Sequence, residues 1–449
     1  MQWALAILYS LAILACSVYA LLRLARDEGP APGSRRVPLT LWLFALAAVA
    51  RLGFVAVTGR LASPDWYEQE EMALAALAGR GFSYDLLGTE YQAYGPPLFT
   101  LFSAAVYGVF GHHQWLLVVA DALISATSVP MVHAIGARCF GARAGIVAAA
   151  LAALHPALLV YAGKLHELSV EVPFATGIVL FAVRWIDRRR WADALALAAF
   201  TAVGAMGRPS LLFVAAPIAA WSLWRSERLG ADALRVGAAA LLAGAMLAPW
   251  TLYISGVYGR PIFFNVSGGI VFWYGNNPAA TGSGTDPSGR PVFDDVPPDL
   301  HARISRTDAL SADAALREAA WSYIRDEPAA FLARSAQKLV WFWTVSPNAG
   351  ALYPPAWRVA YVLYYALMVG LGVVGLRSVR GRWSAAVIVP IASLFLVVSL
   401  IQSVFYVDGR HRWVLEPVML CFTAAGLVAV ASRYGPSLSA MSRRWRPSG

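Results

Sequence analysis

The sequence predicts an all-α membrane fold that crosses a bilayer about eleven times and keeps its polar chemistry in outer loops. Three observations carry this. Hydrophobic residues fill 59 % of the 449 positions and charged residues only 14 %, against roughly 25 % charged in a soluble domain. The apolar residues come in blocks, most of them long enough to cross ~30 Å of hydrocarbon at ~1.5 Å per residue. The arginines cluster in short segments between the blocks, as cytoplasmic loops do.

The blocks are 3–22, 39–57, 115–135, 144–160, 168–185, 192–206, 211–224, 236–254, 359–376, 385–405 and 414–431. The two flanking Arg208 are the shortest. No basic residue precedes the first block, so it reads as an uncleaved span and not as a leader. The net charge of +10 comes from interspan loops, which removes the need for a nucleic-acid partner. Cys16, Cys139 and Cys421 lie in or beside apolar blocks and form neither a metal spacing nor a disulfide framework.

Arginine-rich segments at 23–36, 138–143, 184–190, 225–235, 377–382 and 433–446 alternate with poorer ones. One topology satisfies all of them, with the N-terminus outside and the C-terminus inside. It divides the chain into an extra N-terminal span with a cytoplasmic linker (1–37), a transmembrane module (38–255), a large outer region (256–355), and C-terminal spans with a basic tail (356–449). The first outer loop, 59–111, belongs to the module. The apolar stretches 97–110 and 339–345 then lie along the membrane surface.

The outer segments hold the candidate site. Asp65, Glu68 and Glu71 recur at helical spacing and are expected on one face, beside Tyr67. The bland reading of Asp65, after Pro64, is a helix cap. Tyr91 and Tyr94 precede Gly95-Pro96-Pro97 and are expected on a pocket rim. Lys164, His166 and Glu167 occupy a short outer loop, where snorkelling is the bland reading and a shared cavity with Asp65 the functional one. Arg208, in Gly207-Arg208-Pro209, predicts an interrupted segment. Arg410, His411 and Arg412 form a basic cluster on the side where positive-inside reasoning disfavours one, which suits an anion. Asn276 and Asn277 offer amides for a sugar or a lipid phosphate. The outer region becomes helical from about 309 to 325.

The order of motifs resembles the C-type (GT-C) membrane glycosyltransferases, in the family 39-like bacterial branch related to protein O-mannosyltransferases and the lipid A aminoarabinose transferase. The pieces run in family order: Pro64-Asp65, Gly79-Arg80-Gly81, Tyr94-Gly95-Pro96-Pro97, Cys139-Phe140-Gly141, His155-Pro156, Glu167, Gly207-Arg208-Pro209, Pro249-Trp250, Asn276-Asn277-Pro278 and Arg410-His411-Arg412. The resemblance implies a GT-C fold with juxtamembrane helices and a mixed outer loop region, in the cytoplasmic (inner) membrane. It implies a polyprenyl-phosphate sugar donor, a lipid, glycan or protein acceptor, and a catalytic Asp65 seconded by Glu167. Two departures matter. Gly95 stands where relatives of the aminoarabinose transferase have lysine, so Lys164, Arg410 and Arg412 become the candidates for the carrier phosphate. Trp66 stands where many relatives have a second acid, which leaves a metal role unsupported.

The residues fit this chemistry on their own account. An acceptor hydroxyl must lose its proton to attack an anomeric carbon, and a carboxylate can take it. The departing phosphate needs cationic stabilisation and no strong acid. One carboxylate and one cationic cluster suffice, without a cofactor, and a single displacement inverts the anomeric centre. The competing classes are a secondary transporter, for which no matching repeat of broken helices exists here, and a non-catalytic lipid-binding protein.

Overall fold

The computed structural model describes residues 1–28, 37–286, 290–345, 354–378 and 384–444, leaving aside the side chains of residue 295 and of 434–444. The arginines at 35, 36, 380, 382 and 446, expected inside, lie outside the described residues, as do 287–289 and 346–353 of the segment expected outside. The first elements are α1 (Gln2–Asp27), α2 (Leu39–Val57), α3 (Glu68–Leu77), a hairpin of β1 (Ser83–Leu86) and β2 (Thr89–Gln92), and α4 (Pro97–Phe110). Then follow α5 (Gln114–Ala126), α6 (Ser128–Phe140), α7 (Ala142–Ala153), α8 (Pro156–Tyr161), α9 (Leu168–Arg188), α10 (Trp191–Gly207), α11 (Ser210–Trp224) and α12 (Leu229–Tyr258). The rest are α13 (Gly268–Gly275), α14 (Pro298–Ile304), α15 (Ala309–Asp326), α16 (Pro328–Trp343), α17 (Pro355–Ser378), α18 (Ala385–Val404), α19 (Gly409–Arg412) and α20 (Glu416–Arg444).

Among the described residues, 8 helical stretches are long and apolar enough to cross a membrane, with α5 and α6 counted as one. Shorter apolar helices are α4, α7, α10 and α11. The protein is a multi-pass helical membrane protein. Its outward surface says the same: in α12 only Asp232, Trp250, Tyr253 and Ile254 are buried, while Leu234, Leu241 and Leu252 are well exposed. Apolar side chains turned outward along a long helix suit lipid and not water.

The central helix is α9, buried from Leu168 to Trp185. It packs against α5, α6, α10 and α18, so the loop feeding its N-terminus is fixed by the whole bundle. Two charged pairs within the bundle show how such groups are held. Arg184 Nε donates to Asp193 at 2.8 Å, and Arg412 Nε to Glu416 at 3.0 Å. Unpaired charges there would be costly.

Three expectations need correction. The block 144–160 is not one helix. It breaks at Leu154 and His155, because Pro156 has no N–H to give and disfavours helical geometry in the residue before it. The freed His155 ring reaches Glu416 at 2.8 Å. The helix at 97–110 is an interior one: Pro97 to Ala105 and Tyr107 are all buried, against α1, α3 and α10. Gly108 permits this, since a Cβ there would overlap the Trp3 ring. Asp65 precedes α3, which starts at Glu68, so Asp65 shares no helix face with Glu68 and Glu71. The hairpin, unforeseen in the sequence, pairs Ser83 with Gln92 and Leu86 with Thr89. It turns at Leu87-Gly88, both with positive φ, the geometry of a two-residue hairpin loop.

Candidate active site

The site forms where the segment after α2 meets the loop entering α9. Asp65 and Lys164 form a parallel bridge, and Leu165 N donates to Asp65 O at 2.8 Å. This backbone contact sets their side chains together. Lys164 Nζ lies 3.1 Å from Asp65 Oδ2, and Arg60 Nη1 donates to Asp65 Oδ1. The Asp65 carboxylate is thus held between two cations with a third of its surface open. It is not a helix cap: the cap residue of α3 is Tyr67, and no side chain caps that helix.

Tyr67 serves the site through its hydroxyl, which accepts from Lys164 Nζ at 3.0 Å. The ammonium also lies 5.4 Å from the centre of the Tyr161 ring and 5.6 Å from that of Tyr67, where the ring quadrupoles favour a cation. Burial works against the Lys164 charge. The tyrosines and Asp65 more than offset it and hold the amine above the ordinary lysine pKa. His166 lies buried between Tyr67 and Tyr161, ring centres 5.1 and 5.2 Å away. Its Nδ1 accepts from Leu168 N at 3.1 Å. Burial, with Arg410, Arg208 and Lys164 nearby, holds its pKa well below the usual histidine value. It is a neutral ring that shapes the loop.

Glu167 opens the second half of the site. Gln69, buried on α3, donates Nε2 to its Oε2, which ties the carboxyl to the helix following Asp65. Burial pushes the Glu167 pKa up to about 8, Glu171 and Glu68 push the same way, and Arg410 and Arg208 oppose them. One turn below, Glu171 accepts from Arg208 Nε at 2.9 Å. The chain breaks at Arg208-Pro209 between α10 and α11, as the sequence predicts, and this break aims the guanidinium at α9. Glu68 is half-buried beside Tyr84 and Tyr94, and its charge acts on both phenols. The Tyr94 ring lies tilted against that of Tyr84, centres 4.9 Å apart, and burial raises its pKa well above the ordinary value.

The basic cluster divides. Arg410 keeps a third of its side chain open, 3.6 Å from Asp408 Oδ2 and 3.3 Å from the Tyr406 hydroxyl. Its charge reaches Glu167 and His166. Arg412 does not join it. Its guanidinium is buried, donating to Phe342 O at 2.7 Å, Thr344 O at 2.6 Å and Glu416, and lying 3.7 Å from the Tyr365 ring centre. It ties the end of α16 to α17 and α20 and has no open face for a carrier phosphate. His411 is likewise buried, its Nδ1 accepting from Asp408 N at 3.1 Å.

Asn276 and Asn277 are also internal. Asn276 Nδ2 donates to Phe272 O and Val404 O at 2.8 Å, and its Oδ1 accepts from Lys338 at 3.3 Å. Asn277 Nδ2 donates to Trp273 O at 2.8 Å. The Asn276 amide thus joins α13, α16 and α18, and the Asn277 amide bonds within α13's own end. Tyr91 is buried in the core behind Tyr94, so only Tyr94 of the expected rim remains. Sequence reasoning missed Arg60, Gln69 and Glu171. A helical spacing of four from Glu167 to Glu171 was the available signal for one of them.

No three or more His, Cys, Asp or Glu side chains gather as a metal-holding group among the described residues.

Several known proteins are similar to this chain. It matches ArnT from Cupriavidus metallidurans bound to undecaprenyl phosphate at 15 % identity over 91 % of this chain and 82 % of that one, with a TM-score of 0.40. The apo form of that protein matches at 16 % identity over 88 % and 80 %, with a TM-score of 0.37. The archaeal oligosaccharyltransferase AglB from Archaeoglobus fulgidus, in complex with an inhibitory peptide and a dolichol-phosphate, matches at 12 % identity over 91 % and 52 %, with a TM-score of 0.48. No curated protein matches. Residues 94–253, a stretch that holds Lys164, Glu167, Glu171 and Arg208, match the family model described as dolichyl-phosphate-mannose-protein mannosyltransferase, and over that stretch the chain is similar to this family.

Proposed function

We propose that this protein transfers a hexosyl or pentosyl group from a polyprenyl-phosphate-linked donor to a hydroxyl of a lipid, glycan or protein, at the outer face of the cytoplasmic membrane. The observation that carries the reading is the pairing of two unlike carboxyls across one loop contact. Asp65 is ion-paired and open. Glu167 is half-buried, and desolvation with Glu171 and Glu68 nearby raises its pKa. A carboxylate paired with cations beside a carboxyl held protonated can divide the base and hydrogen-bond-donor roles between them.

In this reading Asp65 takes the acceptor's proton as the oxygen attacks the anomeric carbon. Glu167, protonated near neutral pH, donates a hydrogen bond that orients the acceptor. The bond from the anomeric carbon to the phosphate oxygen breaks, and its electron pair leaves with the phosphate. Lys164 and Arg410 meet the growing negative charge. Tyr94 and Tyr84 offer ring faces and hydroxyls beside Glu68, a surface on which a pyranose packs well.

The test is sugar transfer by the purified protein from a polyprenyl phosphate sugar. Turnover by the native chain, with loss of ~10²-fold or more in Asp65→Asn, supports the reading. Absence of turnover with any polyprenyl-phosphate hexose or pentose overturns it.

A further inference from the structure

We propose that Arg60 and Lys164 together form the anion seat for the carrier phosphate, and that Asp65 occupies this seat until the donor arrives. The inference rests on the transferase reading above and adds both a residue and an order of events. Sequence patterning assigns Arg60 no role.

The seat is built, not incidental. The chain leaves α2 through Gly59, whose φ is +73°, a conformation that suits glycine. That turn lays the Arg60 stem on Gly163, where an added Cβ would stand 2.7 Å from Arg60 Cβ. Gly163 immediately precedes Lys164. The guanidinium and the ammonium therefore approach Asp65 from two sides, one on each carboxylate oxygen. Lys164 has little freedom, since Tyr67 and Tyr161 hold it. Arg60 is 45 % exposed, so its outer face remains open. Arginine presents a planar fork suited to phosphate oxygens.

The charges balance at each stage. Two cations and the Asp65 carboxylate leave one positive charge, which the single negative charge of a donor phosphodiester cancels. Donor oxygens take over donors from Arg60 and Lys164, and the displaced carboxylate turns toward the acceptor as a free base. In the transfer, the acceptor hydroxyl gives its proton to Asp65 while the phosphate takes the electron pair of the broken glycosidic bond. The carboxyl becomes neutral as the carrier becomes a monoester with two negative charges, and the seat again sums to zero. The base is thus held inactive by the cations that the donor must claim, so it is released only when there is something to transfer.

This predicts an inversion that a simple binding role for Asp65 does not. Binding of farnesyl phosphate, with inorganic phosphate as a parallel probe, is measured on full-length protein in detergent. The expected result is ~10-fold tighter farnesyl phosphate binding by Asp65→Asn than by the native chain, because a competing anion is gone. Arg60→Ala weakens binding ~10-fold and Arg60→Lys restores part of it, with unfolding temperatures of all three variants near native. The same tightening with inorganic phosphate locates the recognition in the phosphate group; tightening with the lipid alone makes the prenyl chain part of it, and either supports the seat. Equal or weaker farnesyl phosphate binding by Asp65→Asn overturns the seat while leaving the transferase reading intact. No binding by any variant removes both.

Discussion

Asp65 and Lys164 lie side by side as a parallel bridge, with Lys164 Nζ 3.1 Å from Asp65 Oδ2. The backbone pairing and the side-chain pairing come from one contact between two loops. A catalytic carboxylate on a loop needs such support, because loops position side chains less well than helices do.

The bridge separates fold from chemistry at Asp65. Its backbone oxygen makes the loop contact, and its side chain caps no helix. Asp65→Asn keeps the backbone bond and loses the proton acceptor. Expected are an unchanged unfolding temperature and a loss of transfer of ~10²-fold or more, read by unfolding and turnover on one preparation. A variant with normal turnover hands the base role to Glu167.

Arg410 and Arg412, two residues apart, should respond in opposite ways. Arg412→Ala takes from Glu416 the guanidinium it pairs with and from Phe342 O and Thr344 O their donor, at a cost of about 3–5 kcal/mol, seen as poor yield or a lowered unfolding temperature. Arg410→Ala should unfold normally and bind farnesyl phosphate ~5-fold more weakly, as loss of a half-exposed charge contact does. Equal destabilisation by both substitutions would remove the distinction.

That contrast shows where the sequence stops being legible. Asp65, Lys164 and Glu167 stand out because they lie between apolar blocks, where a charge must find a reason to be. The spans are legible because lipid imposes length and composition on each block separately. Arg410 and Arg412 look alike in sequence. The difference is that Arg412 faces carbonyls freed at the end of α16, which only the packed structure reveals. Asn276 is another instance: the same amide that could hold a sugar instead satisfies Val404 O. Arg60 was invisible because its partner is chosen by Gly163 and the Asp65 bridge, contacts between distant parts of the chain.

Lys338 tests the region between α12 and α17. Its ammonium is buried and donates to Phe405 O at 2.7 Å, with Val404 O, Asn276 and Gly275 O within 3.4 Å. Lys338→Met keeps the stem and strands these acceptors. A loss of about 1–3 kcal/mol is expected, visible in thermal unfolding, with Asp65-dependent chemistry retained in the folded fraction. An unchanged unfolding temperature would mean that water replaces the ammonium.

Glu167 gives the pH test. Burial is the main cause that raises its pKa to about 8, with Glu171 and Glu68 adding to it. A carboxyl raised in the folded state stabilises the fold when protonated. That contribution is full below the ordinary glutamate pKa and is lost as pH rises through about 8. Native protein should therefore lose unfolding temperature between ~pH 5 and ~pH 9, and Glu167→Gln, which cannot titrate, should lose less over the same interval. Removing Arg208 or Arg410 takes away charges that favour the ionised form, so in either variant the loss moves to higher pH. Activity separates the roles of the two carboxyls. If Glu167 orients the acceptor as a hydrogen-bond donor, glutamine substitutes for it, and Glu167→Gln keeps turnover above pH ~8, where the native enzyme declines. If Glu167 is instead the base, Glu167→Gln loses ~10²-fold at every pH. Rate profiles of the native and Glu167→Gln proteins, each paired with its unfolding temperature, decide between a donor at Glu167 and a base there.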